Sequence, residues 1–468
     1  MQHKEATMSC GEVKPGRSTS KSWALRQLNV GFAGGVLLVL VTYLVVTQRF
    51  AISAPYVVIS EARRITDKQT IKVPPETTEK EAKVVCSEEG RFSKTCEVDG
   101  DVRINGTAGS VVVVAASSSE RREWKAWPYS RRGIGNAKEI TVTQLPAGPA
   151  AAAPPPCTVT YAMPAVVFAL GGHTGNYWHD YTDVLIPLFV ASRRYDGEVQ
   201  LLVASMAERP KWLAKYGALV RRLSRYAAVD LDGDAAVRCF PRVTVGTRID
   251  KEFSVVPERV PGGRRLAMAD FTAFLREAYA LPRHSPAREP GRRPRLLLIH
   301  RGHYRRLLNE AEVVRAAEAV GFEAAAVELR GDAAEGEQAR AVNSFDVLVG
   351  VHGAGLTNAV FLPPGAAVIQ VVPYGKMEFV ARAEFLEPAA DMGLRYLDYS
   401  VAAEESSLLE ELGAEHPAIR DPLSVHRSGW LEVFEIYLRK QDVRINVTRF
   451  APMLWQALDH LRQQQQQH

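Results

Sequence analysis

At 468 residues, with 46% apolar and 24% charged side chains, the chain is too long for one ordinary core and too apolar to be disordered, so two or more globular domains are expected. Its net charge of +5 is spread along the chain, without a basic stripe interleaved with aromatics, which argues against a nucleic-acid partner. None of its five cysteines has Cys-x-x-Cys spacing, which argues against structural zinc.

Residues 1–26 carry Lys4, Lys14, Arg17, Lys21 and Arg26, and residues 27–48 carry no charge. As a helix that second stretch is about 33 Å long, enough to span a bilayer. It exceeds the apolar run of a cleaved signal peptide, so an uncleaved anchor is expected, with Ala51-Ile52-Ser53-Ala54 as a competing cleavage site. The positive leader places the N-terminus in the cytosol, although Arg49, Arg63 and Arg64 reduce the asymmetry. Residues 49–82 read as a stem. A lumenal body agrees with the glycosylation acceptors at Asn105 and Asn446. Cys10 is then cytosolic, and Cys86, Cys96, Cys157 and Cys239 form an even lumenal set. Four cysteines allow three pairings; proximity favours Cys86–Cys96, leaving Cys157 with Cys239.

Residues 83–145 read as short strands, and a Pro/Ala-rich stretch at 145–156 marks a boundary. Strand patterns at 165–170 and 198–203 then alternate with helical spacing at 180–195 and 212–226. After a basic, Pro-rich hinge at 282–294, strands are expected at 295–299, 323–329, 346–351 and 367–372, with helices at 310–320 and 333–343. The glutamine run at 463–467 reads as a frayed tail, so 463–468 is set apart as disordered. The alternation predicts an α/β protein with parallel sheets in two halves, 83–285 and 286–462, and a crevice between them. Ligands in such sheets bind beyond the strand carboxyl ends.

The sharpest signal is Gly350-Val351-His352-Gly353-Ala354-Gly355-Leu356-Thr357-Asn358, an apolar strand running into a glycine loop that opens a short helix. Glycines admit a diphosphate close to the backbone, and the first helical N–H groups point at it. The loop is neither a P-loop nor a full dinucleotide fingerprint. Arg301 and Arg305 follow the strand at 295–299, at the carboxyl edge of the same sheet, where guanidinium groups would hold phosphate oxygens. In the first half, His179, Asp180 and Asp183 follow the loop after the strand at 165–170 and are candidates for a general base. Asp180 serves equally as a helix cap, and Tyr177 and Trp178 could stack on a sugar ring. Asp230-Leu231-Asp232-Gly233-Asp234 has the spacing of a Mg²⁺ or Mn²⁺ site but reads as a turn, as does Asp99-Gly100-Asp101.

Together these segments, with Thr95 to Arg103, His173 to Phe189 and Ile299 to Glu310, make residues 85–460 resemble the plant members of glycosyltransferase family 61. The resemblance implies a GT-B fold of two Rossmann-like halves facing across a cleft. It also implies a Golgi type II enzyme that transfers a pentose, arabinofuranose or xylose, from a UDP-sugar to xylan with inversion. Carried over, Arg301, Arg305, His352, Gly353, Ala354, Gly355 and Asn358 would hold the UDP, and residues 179–183 would face the acceptor. His300 departs from the family pattern, where a small residue such as Ser is expected before the arginine. No cofactor is expected, since arginines would replace a metal, with Mn²⁺ as the alternative. Transfer to N-glycans or glycoproteins, and an inactive anchored scaffold in a synthase complex or oligomer, are the competing readings.

Overall fold

The computed structural model describes residues 82–88, 92–115, 120–134, 137–147, 153–286, 291–331 and 333–466. The expected cytosolic tail and anchor, and all but the last residue of the stem, lie outside these. Among the described residues no helix is long and apolar enough to cross a membrane.

Two sheets organise the body. The first contains β1 (Lys83–Ser87), β2 (Thr95–Asn105), β3 (Ser110–Val114), β4 (Arg122–Ala126), β5 (Ile140–Leu145), β6 (Val159–Thr160), β7 (Ala165–Ala169), β8 (Gln200–Ala204), β9 (Val229–Asp230) and β10 (Val237–Val245). Its main order is β4-β5-β3-β2-β10-β7-β8-β9. The expectation of a parallel sheet holds for its β10-β7-β8-β9 portion and for the β3–β5 and β6–β10 pairs. β7 and β8 are buried at every position, as strands covered on both faces are. β2 instead pairs antiparallel with β1, β3 and β10, making the sheet mixed. The physical reason is the short β2–β3 connection, which permits only a hairpin.

The second sheet holds β11 (Arg295–His300), β12 (Glu323–Glu328), β13 (Val347–Val351), β14 (Ala367–Val372) and β15 (Arg395–Ser400), in the order β12-β11-β13-β14-β15. Every pairing in it is parallel. The chain starts on β11, steps to one side for β12, then crosses to the other side for β13. The carboxyl ends of β11 and β13 therefore flank the point where strand order reverses, the ligand-binding position of doubly wound sheets.

Helix α1 joins Tyr177–His179, a π-helical stretch Asp180–Leu185 and Ile186–Arg193. It is followed by α2 (Trp212–Leu223), α3 (Met268–Ala278), α4 (Glu310–Val320), α5 (Glu335–Asn343), α6 (Glu378–Asp391) and α7 (Val447–Gln466), with short helices between β15 and α7. Alternation along β11 divides the core. Leu296 and Leu298 face α4 and α7 through Val313, Ala317, Phe450 and Leu454. Leu297 and Ile299 join a cluster containing Phe168, Tyr181 and Phe271 of the first half and Phe361 and Phe385 of the second. The two halves thus share one continuous apolar core, and the expected crevice is closed along this seam.

Three local expectations are revised. The glutamine run is helical as far as Gln466, because glutamine is a good helix former and α7 is anchored by buried Phe450, Leu454, Leu458 and Leu461. Asp99-Gly100-Asp101 lies inside β2 rather than in a turn. The register against β10 slips there, Gly100 adopts φ +118°, and Asp99 accepts a 2.5 Å hydrogen bond from Arg242. The helix expected from 180 to 195 begins with a π-helical stretch, Asp180–Leu185. By contrast, Asp230–Asp234 is a turn after β9: Asp230 accepts from the Asp232 N–H, and Asp234 pairs with Arg238.

The disulfides are Cys86–Cys96, directly opposite in the β1–β2 register, and Cys157–Cys239, which closes a separation of 82 residues. Asp101 lies near the second pair, but its sulfurs are consumed in the bond and offer no thiolate ligands. Replacing Cys157 and Cys239 with serine should cost roughly 4 kcal/mol through regained unfolded-chain entropy. Denaturant titration under non-reducing conditions measures it. The acceptor Asn446 is exposed at the start of α7, and Asn105 is half-buried at the end of β2.

Candidate active site at the strand carboxyl ends

The second half builds a cationic cradle at its switch point. β13 ends at Val351; His352 follows, and Gly353 takes φ +137° before the 3-10 helix Ala354–Phe361. Arg301 follows β11, and its Nε donates to the Tyr304 carbonyl at 2.9 Å. Tyr304 and Arg305 both adopt left-handed backbone conformations, φ +48° and +56°. Such strain persists where the surroundings over-determine it; here the Arg305 N–H bonds the Gln441 carbonyl at 2.9 Å. The turn lays the Arg305 guanidinium on Gly353, where a Cβ would meet it at 3.1–3.2 Å. Only glycine satisfies both that φ and that approach. Among the described residues neither arginine has a carboxylate at ion-pair distance, and the Arg305 Nε is buried without a hydrogen bond. Burial and the charge of Arg301 push the Arg305 guanidinium down to about 9, with Glu384 opposing; burial also lowers Arg301. An arriving anion would relieve both.

His352 is 3% exposed and braces this loop. Tyr396 donates to Gln370 Oε1, which orients the Gln370 amide to donate to His352 Nδ1 at 2.7 Å. Burial, Arg305 and Arg301 push His352 down to about 3, so the ring is neutral with its proton on Nε2, 3.7 Å from a Glu384 carboxylate oxygen. Asn358, expected among the UDP ligands, is withdrawn: it donates to the Gly355 carbonyl and accepts from Gln338 inside the seam.

The first half brings His179 and Asp183 together, with His179 Nδ1 2.9 Å from Asp183 Oδ2. Asp183 has no exposed side-chain surface and also accepts from Tyr129 Oη at 2.5 Å and Arg131 Nε at 2.8 Å. Burial pushes its carboxyl up, but the His179 hydrogen bond and the Arg131 charge outweigh burial and hold it below its usual range. Tyr129 reaches Asp183 over Gly172, where a Cβ would sit 2.2 Å from its ring. Asp183 is thus saturated and orients His179, which is 22% exposed and keeps Nε2 for a substrate.

Asp180 points elsewhere: it accepts from the Gly175 N–H, Trp212 Nε1 and Tyr216 Oη. Its place in the base set is corrected to a structural anchor, because the π-helical turn separates its direction from that of Asp183. Tyr177 and Trp178 are also turned inward, Tyr177 onto Glu335 and Trp178 against Phe253.

Sequence reading missed Tyr129, Arg131, Glu252 and Glu384. Arg131 bridges Asp183 to Glu252, donating to the latter at 2.6 Å. Glu384, on α6, is pushed up to about 7 by burial and by Glu252, with Arg305 and Arg131 opposing. It therefore lies within electrostatic reach of both the dyad's arginine and the cradle. A diphosphate beside Arg305 would favour its protonated form. A diphosphate diester, which does not titrate near neutrality, would bind up to about tenfold tighter at this position for each unit that pH falls from 8 through 7, then level off below. Titrations at pH 6, 7 and 8 with wild type and Glu384→Gln check this; the glutamine variant should show a flat profile.

A carboxylate-oriented imidazole on one half and a desolvated pair of arginines on the other are the groups that a transfer with an anionic leaving group would require. The glycosyltransferase 61 family model matches residues 177–369, from the start of α1 into β14. The chain is 43% identical over 401 residues to the β-1,2-xylosyltransferase XYXT1 of Oryza sativa subsp. japonica, covering 81% of this chain and 84% of that protein. It is 39% identical to the rice α-1,3-arabinosyltransferase XAT2, over 84% of this chain and 67% of the relative. It is 31% identical to the xylan glycosyltransferase MUCI21 of Arabidopsis thaliana, over 82% and 81%. The chain belongs to glycosyltransferase family 61 and is a glycosyltransferase.

Proposed function

We propose that this protein transfers a pentose, arabinofuranose or xylose, from a UDP-sugar to side-chain positions of xylan, with inversion, in the Golgi lumen. The observation that carries the chemistry is the pairing of the His179–Asp183 dyad with the Arg301/Arg305 cradle. The pentose and xylan assignments rest on the rice xylosyl- and arabinosyltransferases and the Arabidopsis xylan enzyme. A GT-B arrangement is supported by the doubly wound second sheet and the parallel portion of the first.

In this reading His179 Nε2 takes the proton of an acceptor hydroxyl while Asp183 stabilises the imidazolium. The hydroxyl oxygen bonds to the anomeric carbon as its bond to the diphosphate oxygen breaks, and UDP departs with that electron pair. Arg301, Arg305 and the backbone of Gly353–Gly355 receive the growing negative charge. Single displacement inverts the anomeric centre. Two fixed cations supply the leaving-group stabilisation that a divalent ion would otherwise give, so the reaction is proposed to be metal-independent.

The test is a donor and acceptor panel: UDP-arabinofuranose, UDP-xylose and UDP-N-acetylglucosamine against xylan oligomers and glycopeptides. Pentose transfer to xylan in the presence of EDTA is the expected result. Transfer to glycopeptides alone would favour a glycoprotein-directed enzyme, and no transfer with no UDP binding would favour a scaffold. Loss in EDTA with recovery in Mn²⁺ would restore a metal to the mechanism.

A further inference from the structure

The dyad and the cradle belong to different halves, so catalysis requires something to fix their separation. The shared apolar core resists opening but does not by itself set orientation. A buried polar network also crosses the seam.

Glu335 opens α5 and is 2% exposed. Its Oε1 accepts from two hydroxyls of the first half, Tyr177 at 2.7 Å and Tyr181 at 2.6 Å. Its Oε2 is buried without a hydrogen bond and lies 3.6 Å from Lys215 Nζ, also of the first half. Lys215 in turn donates to the Gly331 carbonyl at 3.0 Å and lies over the Tyr177 ring at 4.6 Å. The network continues to the glycine loop: the Tyr177 hydroxyl is 3.3 Å from Asn358 Oδ1, and Asn358 Nδ2 bonds the Gly355 carbonyl at 2.9 Å. Tyr181 packs edge-on against Phe361, the last residue of the same 3-10 helix.

The spacing on α1 gives this arrangement its meaning. Tyr177 and Tyr181 are four residues apart and turn into the seam. His179 and Asp183, also four apart, turn towards the site. One short segment therefore carries the dyad on one face and the tie to the phosphate loop on the other.

We propose that Glu335 is a positioning residue whose clasp on Tyr177 and Tyr181 sets His179 against the Arg301/Arg305 cradle. This rests on the dyad–cradle reading above. Glu335 touches no reacting atom; it acts through the placement of α1 relative to residues 354–361. Displacements of about 1 Å in reacting groups cost on the order of a hundredfold in rate. Loss of the clasp is therefore expected in kcat rather than in nucleotide affinity.

The test compares full-chain Glu335→Ala, Glu335→Gln and the double variant Tyr177→Phe/Tyr181→Phe with wild type. Transfer kinetics, UDP affinity and hydrogen exchange at residues 177–193 and 354–361 are measured for each. Glu335→Ala and the phenylalanine pair should lose at least about tenfold in kcat while UDP affinity stays within about twofold. Both segments should exchange faster together. Glu335→Gln keeps an acceptor oxygen for the tyrosines and should recover kcat to within about threefold of wild type. A kcat that stays at the wild-type value in folded Glu335→Ala would overturn the proposal. So would a parallel loss of UDP affinity, which would place Glu335 on the cradle itself, or failure of Glu335→Gln to rescue. Absence of transfer by wild type would refute the functional reading instead, and coupled exchange would still decide whether the clasp exists.

Discussion

Asp183→Asn should lower kcat by on the order of 1,000- to 10,000-fold while leaving UDP bound as tightly as in wild type. The side chain is fully enclosed, with His179, Tyr129 and Arg131 all directed at its two oxygens. An amide in that position offers one acceptor and one donor where three donors converge. It removes the carboxylate that holds His179 Nδ1 protonated, leaving the wrong tautomer for proton removal at Nε2. His179→Ala should fall in the same range, and combining the two changes should cost little more than either, because the residues act as a unit. Asp180→Asn makes the contrast. Among the described residues Asp180 accepts from Gly175, Trp212 and Tyr216, so its loss should appear in stability and leave kcat per folded molecule nearly unchanged. Single-turnover transfer rates, normalised to folded protein, separate the three variants.

Arg305→Ala should weaken UDP binding by about 10- to 150-fold, the range of one hydrogen-bonded charge in a desolvated site. It should also reduce kcat by about 100- to 1,000-fold, because charge on the leaving diphosphate grows in the transition state. This guanidinium is held against Gly353 by a left-handed backbone, with its Nε without a hydrogen bond among the described residues and its pKa depressed to about 9. That is a group prepared at a cost in stability and relieved by an anion. Arg305→Lys restores the charge without the planar fork, so an intermediate loss is expected. UDP titration and steady-state kinetics at fixed ionic strength check both. A thermal transition of Arg305→Ala no lower than wild type's would agree with strain stored at this residue.

Much of the second half was legible because its signals are local. Strands at 295–299 and 346–351 are continuous apolar runs, and the residues after them lie at the carboxyl edge by strand direction alone. Arg301, Arg305 and Gly353–Gly355 therefore fall together once the sheet is parallel. Asn358 misled because it sits in the same motif; its i, i+3 bond to Gly355 is invisible in spacing. On α1 the sequence supplied three acidic or imidazole candidates with ordinary helical phasing. The π-helical turn at Asp180–Leu185 sends Asp180 into the core and Asp183 towards His179, and no propensity rule foresees it. Tyr129, Arg131 and Glu252 reach the site through contacts more than fifty residues apart in sequence, from segments without periodicity, and Glu384 reaches it from α6, 32 residues beyond His352. The mixed first sheet escaped for a similar reason. Alternation within β2 and β10 shows that they are strands but does not say which neighbour each pairs with, or in which direction.

The claim that one site joins the His179–Asp183 dyad to a diphosphate cradle is tested most directly by UDP-induced stabilisation of full-chain wild type, Asp183→Asn and Arg305→Ala, measured in parallel. At a hundredfold excess over the dissociation constant, wild type and Asp183→Asn should each gain about 2.7 kcal/mol. At the same UDP concentration Arg305→Ala should gain far less. Equal stabilisation of all three, or none in wild type, would contradict it.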